Sequence, residues 1–323
     1  MRLRKSIAAG ALILIAALGG LCRAQDYPSR PIRFMVPFTP GTTADSLARM
    51  IGPHITQRWN VPVVVDNRSG ASGIIGMDLV ASANPDGYTF LFGSTAFGTL
   101  AAVHPKLPYD PFKSFSPVLL VGTSPLTLVV ANKFPATSVR EFVEQVRKQP
   151  GAFNYATSGA GSVFHLTMEL LKQENNINIV HVPYKGMSCV LADLAAGHVQ
   201  ASILVFQTVA PLAQGGRVRM LAVMGRERMP QFPQVPTLAE SGMPNMVVEN
   251  WTGVMAPART PPAVIAKLNA EINNILALPE VKDMLVKIGV SQVGGTPQTL
   301  DALVRKEIKM WTQVAKRGNI VVE

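Results

Sequence analysis

"VPFTPGTTAD", residues 36–45, follows the apolar run "IRFM" (32–35) and precedes "SLARMIGPHI" (46–55). Its reading decides the fold. An apolar strand that passes through Pro, Gly and Thr into an amphipathic helix is the unit of an open α/β sheet. In such a sheet the helix starts near the carboxyl edge of the strands, where ligands sit. The first amides of that helix lack intrahelical partners, and its dipole favours negative charge. Gly41 lets the chain bend, and Thr39, Thr42 and Thr43 offer hydroxyl donors, so the loop can seat an anion. The loop also has a purely local reading: Thr42 with Asp45 three residues on resembles a capping box, Asp standing for the usual Glu or Gln.

The same unit recurs three times. "VPVVVDN" leads through "RSGASG" into a helix around "IIGMDLVASA", stopped by "NPDG" (84–87). "FNYAT" leads through "SGAGS" (158–162) into "VFHLTMELLKQEN", with Leu166, Leu170 and Leu171 as a stripe. "INIVHVPY" leads through "KGMS" into "CVLADLAAG", which Gly197 ends by accepting a left-handed conformation. "YTFLFGS" (88–94) is apolar on both alternating sets, as a strand covered on both faces is. The last third is helical. "TPPAVIAKLNAEINNILAL" starts with Thr260 as cap and prolines at the first positions, and Thr296–Pro297 repeat that start. The final helix has Leu300, Leu303, Val304, Ile308 and Trp311 on one face.

With 323 residues, 48% hydrophobic and 15% charged, the chain is globular and long enough for about two domains. A change of domain is expected near "VGTSPLTLVVANKFP" (121–135) and a return near "VVENWTGVMAP" (247–257). This places 25–126 with 249–323 in one lobe and 127–248 in the other. The start is a secretory signal, residues 1–24: Arg2, Arg4 and Lys5 precede an apolar run, and Ala24 suits the residue before the cut. At about 15 apolar residues the run is short for a membrane span. Removing Arg2, Arg4, Lys5 and Arg23 leaves 26 basic against 20 acidic residues, a mild scattered excess. No basic run marks nucleic-acid contact, whereas the positive balance assists encounter with small anions. Only Cys189 then remains, so no disulfide forms within the chain.

The second loop, "TSGAGS" (157–162), strengthens the anion reading of the first. Ser158 and Ser162 are donors beside Gly159, Ala160 and Gly161, and two such loops on different halves suggest one ligand held between two lobes. Neither loop matches G-x-x-x-x-G-K-[ST] or the full G-x-G-x-x-G spacing, which excludes the usual nucleotide cradles. Without Arg in either loop, carboxylate is favoured over phosphate. Ser162 and His165, three apart on a helix, are the one hint of a hydrolase, but "GAGSV" is not the G-x-S-x-G elbow. His165 also fits a packed residue at a helix start, and Cys189 a small apolar one. The histidines show no metal-binding spacing, so neither metal nor cofactor is expected. Lys185, after "HVPY", can pair with a ligand carboxylate.

"YPSRPIRFMVPFTPGTTADSLAR" (27–49), "VVVDNRSGASGIIGMDLVASANPDGYTFL" (63–91), "NYATSGAGSVFHLTMELLK" (154–172), "HVPYKG" (181–186) and "QVPTLAESGMP" (234–244) together resemble the Bug family. These are extracytoplasmic substrate-binding proteins of tripartite tricarboxylate transporters. The resemblance runs in order from about Tyr27 to the end, through "ENWTGVMAP" (249–257) and "EIKMWTQVAKRGNI" (307–320).

The resemblance implies a two-lobed periplasmic binding protein of type II, with mostly parallel sheets flanked by helices. It implies a non-enzymatic receptor, acting as a monomer, that closes on a small organic carboxylate and delivers it to membrane transporter subunits. In the family, the loops matching 38–45 (Phe38, Thr39, Gly41, Thr42, Thr43, Asp45) and 157–162 form a pincer on one carboxylate. The position matching Ser94 faces the cleft. Thr42 replaces the second of a usual glycine pair, and Met187 falls where small residues are common. Gln207 stands where relatives often carry an acid that meets the far end of the ligand, which favours a mono- or dicarboxylate or aromatic acid over an amino acid. A sensor subunit presenting the same ligand to a signalling partner is the alternative.

Overall fold

The computed structural model describes residues 27–322. The expected signal segment and its cut near Ala24 lie outside the described residues. In chain order the elements are β1 Ile32–Val36, α1 Thr43–Trp59, β2 Val63–Asn67, a 3-10 turn Ala71–Gly73, α2 Ile74–Ala81, β3 Thr89–Ser94 and α3 Ala96–Val103. The long strand β4 Phe115–Ala131 follows, then α4 Val139–Lys148, β5 Asn154–Thr157, α5 Val163–Asn175, β6 Val180–Pro183 and α6 Met187–Ala196. β7 Ala201–Val205, α7 Phe206–Gln214 and β8 Val218–Val223 lead to β9 Glu249–Pro257. The chain ends in α8 Pro262–Leu276, α9 Pro279–Lys287, β10 Ser291–Gly294 and α10 Pro297–Arg317.

Local chemistry sets these bounds. Leu47, Met50, Ile51 and Ile55 are buried on α1, which stops where Asn60 turns left-handed. Gly197 ends α6 in the left-handed conformation its position predicts. Thr260 is not the cap of α8. Pro261 takes that place, and the Thr260 hydroxyl donates to the Pro257 carbonyl, 2.8 Å. A Pro–Pro start supplies its own helical φ, so the hydroxyl is free to bond backward.

The sheet order is β2-β1-β3-β9-β4-β7-β5-β6, with β8 and β10 also on β4. The β-α-β segments pair in parallel, β1 with β2 and β3, and β5 with β6 and β7. Every ladder involving β4 or β9 is antiparallel, so the sheet is mixed rather than mostly parallel. The reason is the length of β4. Its first part, to Pro125, pairs with β9, and its last part, from Leu126, pairs with β7. One strand thus carries both halves of the sheet.

Apolar side chains gather on either side of that strand. Phe34, Phe90, Phe92, Val118 and Ile272 fill one core, extended by Phe97, Trp251 and Leu300. Leu128, Phe142, Leu166 and Ile203 fill the other, extended by Leu204 and Phe206. Two helices belong to both. α3 places Phe97 and Leu100 in the first and Val103 in the second, and α10 likewise divides Leu300 and Val304 from Trp311 and Val314. Among the described residues no helix is long and apolar enough to cross a membrane.

Candidate functional site

The first corner, between β1 and α1, is fixed by one buried carboxylate. Asp45 accepts from the Gly41 amide at 2.9 Å, from Arg49 Nε at 3.0 Å and from Asn67 Nδ2 at 3.0 Å. Burial alone would raise its pKa, but these donors together hold the carboxyl below the ordinary aspartate value. Asn67 also donates to the Phe38 carbonyl, 3.1 Å. The expected capping box does not form. Thr42 is the N-cap residue, yet its hydroxyl donates to the Thr39 carbonyl, because Asp45 reaches past it to Gly41. The first ladder bond runs from Ser46 N to Thr42 O, so the amides of Thr43, Ala44 and Asp45 precede the ladder.

The second corner, between β5 and α5, is fixed without a carboxylate in the loop. Ser162 is a working N-cap: its hydroxyl accepts from the His165 amide, 3.3 Å, and donates to the Gly159 carbonyl, 2.8 Å. The His165 ring points elsewhere, its Nδ1 accepting from the Gly161 amide at 3.1 Å. Ser162 and the His165 imidazole are therefore not a nucleophile–base pair. Gly159 N donates to Thr157 Oγ1, so both glycine amides here, like that of Gly41, are spent within the chain. The amides of Val163 and Phe164 precede the first ladder bond, Leu166 N to Ser162 O.

Behind this corner lies a stack that sequence reading missed. The His165 and His181 rings stack face to face, their centroids 3.9 Å apart and their planes nearly parallel, with Tyr155 against His181 at 5.0 Å. Tyr155 Oη and Lys172 Nζ both donate to Glu169 Oε1 at 2.7 Å, and His181 Nε2 is 2.7 Å from Thr157 Oγ1. Burial, then the neighbouring His165 and Lys172, pushes His181 down to about 3. Burial also lowers His165. Both rings are neutral at pH 7. The signal available in sequence was "HVPY", parallel to "NYAT", but the stack depends on strand register, His181 opposite Tyr155.

Each corner touches a segment distant in sequence. Thr43 Oγ1 donates to Gln207 Oε1 at 3.1 Å, linking α1 to α7. A Cβ added at Gly159 would lie 4.0 Å from Ser72 Oγ, which belongs to a third corner, "RSGASG". There Gly70, Ala71, Ser72 and Gly73 all have positive φ, an arrangement that two non-glycine residues adopt only under constraint. Ser72 was legible in sequence only as part of a glycine-bearing connection. The remaining predicted residues lie on the second corner or at strand ends. Ser94 is buried at the end of β3, its hydroxyl 3.4 Å from the Ala96 amide that donates to it. Ser158 is half-buried and Ala160 exposed on the second corner; Lys185 is exposed in the turn after β6. Cys189 is exposed on α6 and not in the core. Among the described residues no cluster of His, Cys, Asp and Glu has metal-binding form.

Known proteins are similar to this chain along nearly its whole length. Residues 47–320 match the family model of the tripartite tricarboxylate transporter family receptor. Protein BugT of Bordetella pertussis is 35% identical over 95% of this chain and 95% of its own length. An R. palustris structure solved with adipate superposes with a TM-score of 0.85 at 37% identity, covering 92% of this chain and 99% of that one. MatC from Rhodopseudomonas palustris with bound malate gives 0.81 at 32% identity, covering 89% and 99%. A family match over most of the chain, and relatives above 30% identity along nearly all of it, lead to one statement: this chain belongs to the tripartite tricarboxylate transporter receptor family.

Proposed function

We propose that this chain is a periplasmic receptor that closes its two lobes on a small organic carboxylate and delivers it to the membrane subunits of a transporter. The observations that support this reading are two contacts between distant segments and two open helix starts: Thr43 at the start of α1 bonds Gln207 on α7, a Cβ at Gly159 would come within 4.0 Å of Ser72 Oγ, and the amides of Thr43, Ala44, Val163 and Phe164 precede the ladders of α1 and α5. Two helix starts aimed at one space supply amide donors and positive dipole ends to a shared anion. The residues proposed to face the ligand are Thr39, Thr42, Thr43, Ser158, Ala160, Ser162 and Lys185, with Ser72 added. Asp45, Gly41, Gly159, Gly161 and His165 act from behind, holding the donors in place. Phe38 and Ser94 form the floor. The Gln207 amide favours a dicarboxylate, monocarboxylate or aromatic acid over an amino acid. The division into moving bodies is 25–126 with 249–323 against 127–248, with the second half of α10 seated in the latter. Export follows from the segment 1–24. The protein acts as a monomer, and binding proceeds without turnover, since the Ser162 proton is directed to Gly159 and not to an imidazole.

A thermal-shift screen against adipate, malate, benzoate and aspartate tests this. A ligand at about 100 times its Kd stabilises by about 2.7 kcal/mol, a shift of several degrees. Adipate, malate or benzoate is expected to stabilise and aspartate not to. Failure of all three non-amino acids would overturn the reading. Ester turnover that disappears in Ser162→Ala would overturn its non-enzymatic part.

A further inference from the structure

The segment that follows α10 returns beneath the second corner. Ile320 N bonds back to the Ala315 carbonyl, 2.9 Å, after Asn319 turns left-handed. The chain then extends, Val321 outward and Ile320 and Val322 inward against the core that contains Leu166 and Val314. Val322 N donates to the Val103 carbonyl, 3.1 Å. That carbonyl is one of the last on α3, which has no intrahelical donor left to meet it. The bond therefore joins the end of α3 to residue 322, and their two valine side chains come to lie side by side.

What they meet is Gly161. A Cβ built there would stand 2.7 Å from Val103 Cγ2 and 3.1 Å from Val322 Cγ2. Gly161 has φ +75. Its amide is held by His165 Nδ1 on one side, and its α-carbon is walled by the two valines on the other. The loop cannot swing towards α3 without displacing Val322. Ser162, Val163 and Phe164, whose hydroxyl and amides open the helix, follow directly along the chain, so their aim is set by the φ of Gly161. Both valines come from outside 127–248, whereas the loop they press is inside it. Gly41 in the first corner has no such wall: a Cβ there would meet nothing within 4 Å.

We propose that Val103 and Val322 are positioning residues for ligand binding: a two-valine wedge that fixes Gly161 and thereby the donors of the second corner. The inference rests on the carboxylate reading for its consequence, but its geometry can be tested without ligand. In the unliganded full chain, Val322→Ala and, separately, Val103→Ala are expected to speed hydrogen exchange of the Gly161 and Ser162 amides about tenfold by local opening. The amides of Ile203 and Leu204 in β7 should keep their protection, and Val322→Ile should restore that of Gly161. Affinity for adipate, measured by calorimetry, should also fall in both variants, because a loosened loop must be ordered when the ligand binds. Unchanged exchange at Gly161 in both variants would overturn the wedge, as would equal acceleration across β5, β7 and α5. Faster exchange with adipate affinity intact would overturn its part in binding. Wild-type protein that binds neither adipate nor malate would count against the carboxylate reading, while the exchange result would still decide the wedge.

Discussion

The two corners are built to one sequence plan and held by opposite means. Each joins a strand to a helix through a positive-φ glycine and hydroxyl residues. The first is braced by charge: Asp45 beneath the start of α1, with Arg49 and Asn67 on it. The second is braced by neutral groups: the Ser162 cap, the stacked imidazoles and a wall of valine. A carboxylate near a helix start offsets part of the dipole that would attract an anion, and Arg49 offsets the carboxylate in turn. The second corner carries no such charge in its loop. Similar loops can therefore present similar donors while differing in what breaks them, and the difference lies in residues far away in sequence.

The sharpest break uses the glycines. Gly161→Ala places a Cβ against Val103 at a φ that L-residues avoid, and strain of about 1–2 kcal/mol from the backbone adds to overpacking of similar size. We expect about 3 kcal/mol of destabilisation by urea denaturation. Gly41→Ala meets only the backbone term, about 1 kcal/mol. Equal effects at the two sites would end the contrast. Next is Asp45→Ala, which removes three acceptor contacts, one from a guanidinium, and is expected to cost about 2 kcal/mol in the same assay. Ser162→Ala, the loss of one cap, should cost about 1 kcal/mol. A smaller effect at Asp45 than at Ser162 would mean that charge is not what fixes the first corner.

Both corners were legible in the sequence because a glycine with hydroxyl neighbours between an apolar run and an amphipathic helix is a local signal. So were the α1 stripe and the stop at Gly197. The braces were not legible. Asp45 read as a partner for Thr42, and only folding shows that Gly41 is nearer. Asn67, His181, Val103 and Val322 reach their targets across strand register or across the whole chain. β4 read as a change of lobe, but its antiparallel return partner β9 begins more than a hundred residues later, so the mixed sheet was hidden. Glu307 shows a different failure. It lies on the apolar face of α10 between Val304 and Trp311, yet a polar residue was passed over there. It is buried, accepts from Trp251 Nε1 at 2.6 Å, and burial pushes its pKa up to about 8. Following the stripe through its one polar member would have found it.

Acid should separate the corners further. The carboxyl of Asp45 has a lowered folded pKa, so its contribution is present above the ordinary aspartate value and is lost only as pH falls below it. His165 and His181 are also lowered, but for a base the unfolded chain then binds protons first. Their contribution is full above about pH 6.5 and drains as pH falls below that value. Between pH 7 and pH 5 the second corner should weaken while the first holds. Unfolding free energy should decline over that range in wild type and decline less in His181→Gln, which keeps a partner for Thr157. An identical pH slope in the variant would remove the stack from the account.

The smallest effect concerns the point where the comparison closes on itself. Thr43 belongs to the first corner and Gln207 to α7, and their bond is the one side-chain hydrogen bond among the described residues that joins the two. Both groups are part-exposed, so water can replace either partner, and Thr43→Val should cost only about 0.5 kcal/mol of stability. A single variant cannot resolve so small a term from changes in helix propensity. The cycle of Thr43→Val, Gln207→Leu and the double variant can, because it cancels everything except the pair. A coupling of about 0.5 kcal/mol is expected without ligand. It should shrink when a bound carboxylate competes for the Thr43 hydroxyl. Zero coupling in the free protein would mean that the first corner lies against α7 without being held by it, and would leave the proposed valine wedge as the one brace between distant segments at these corners.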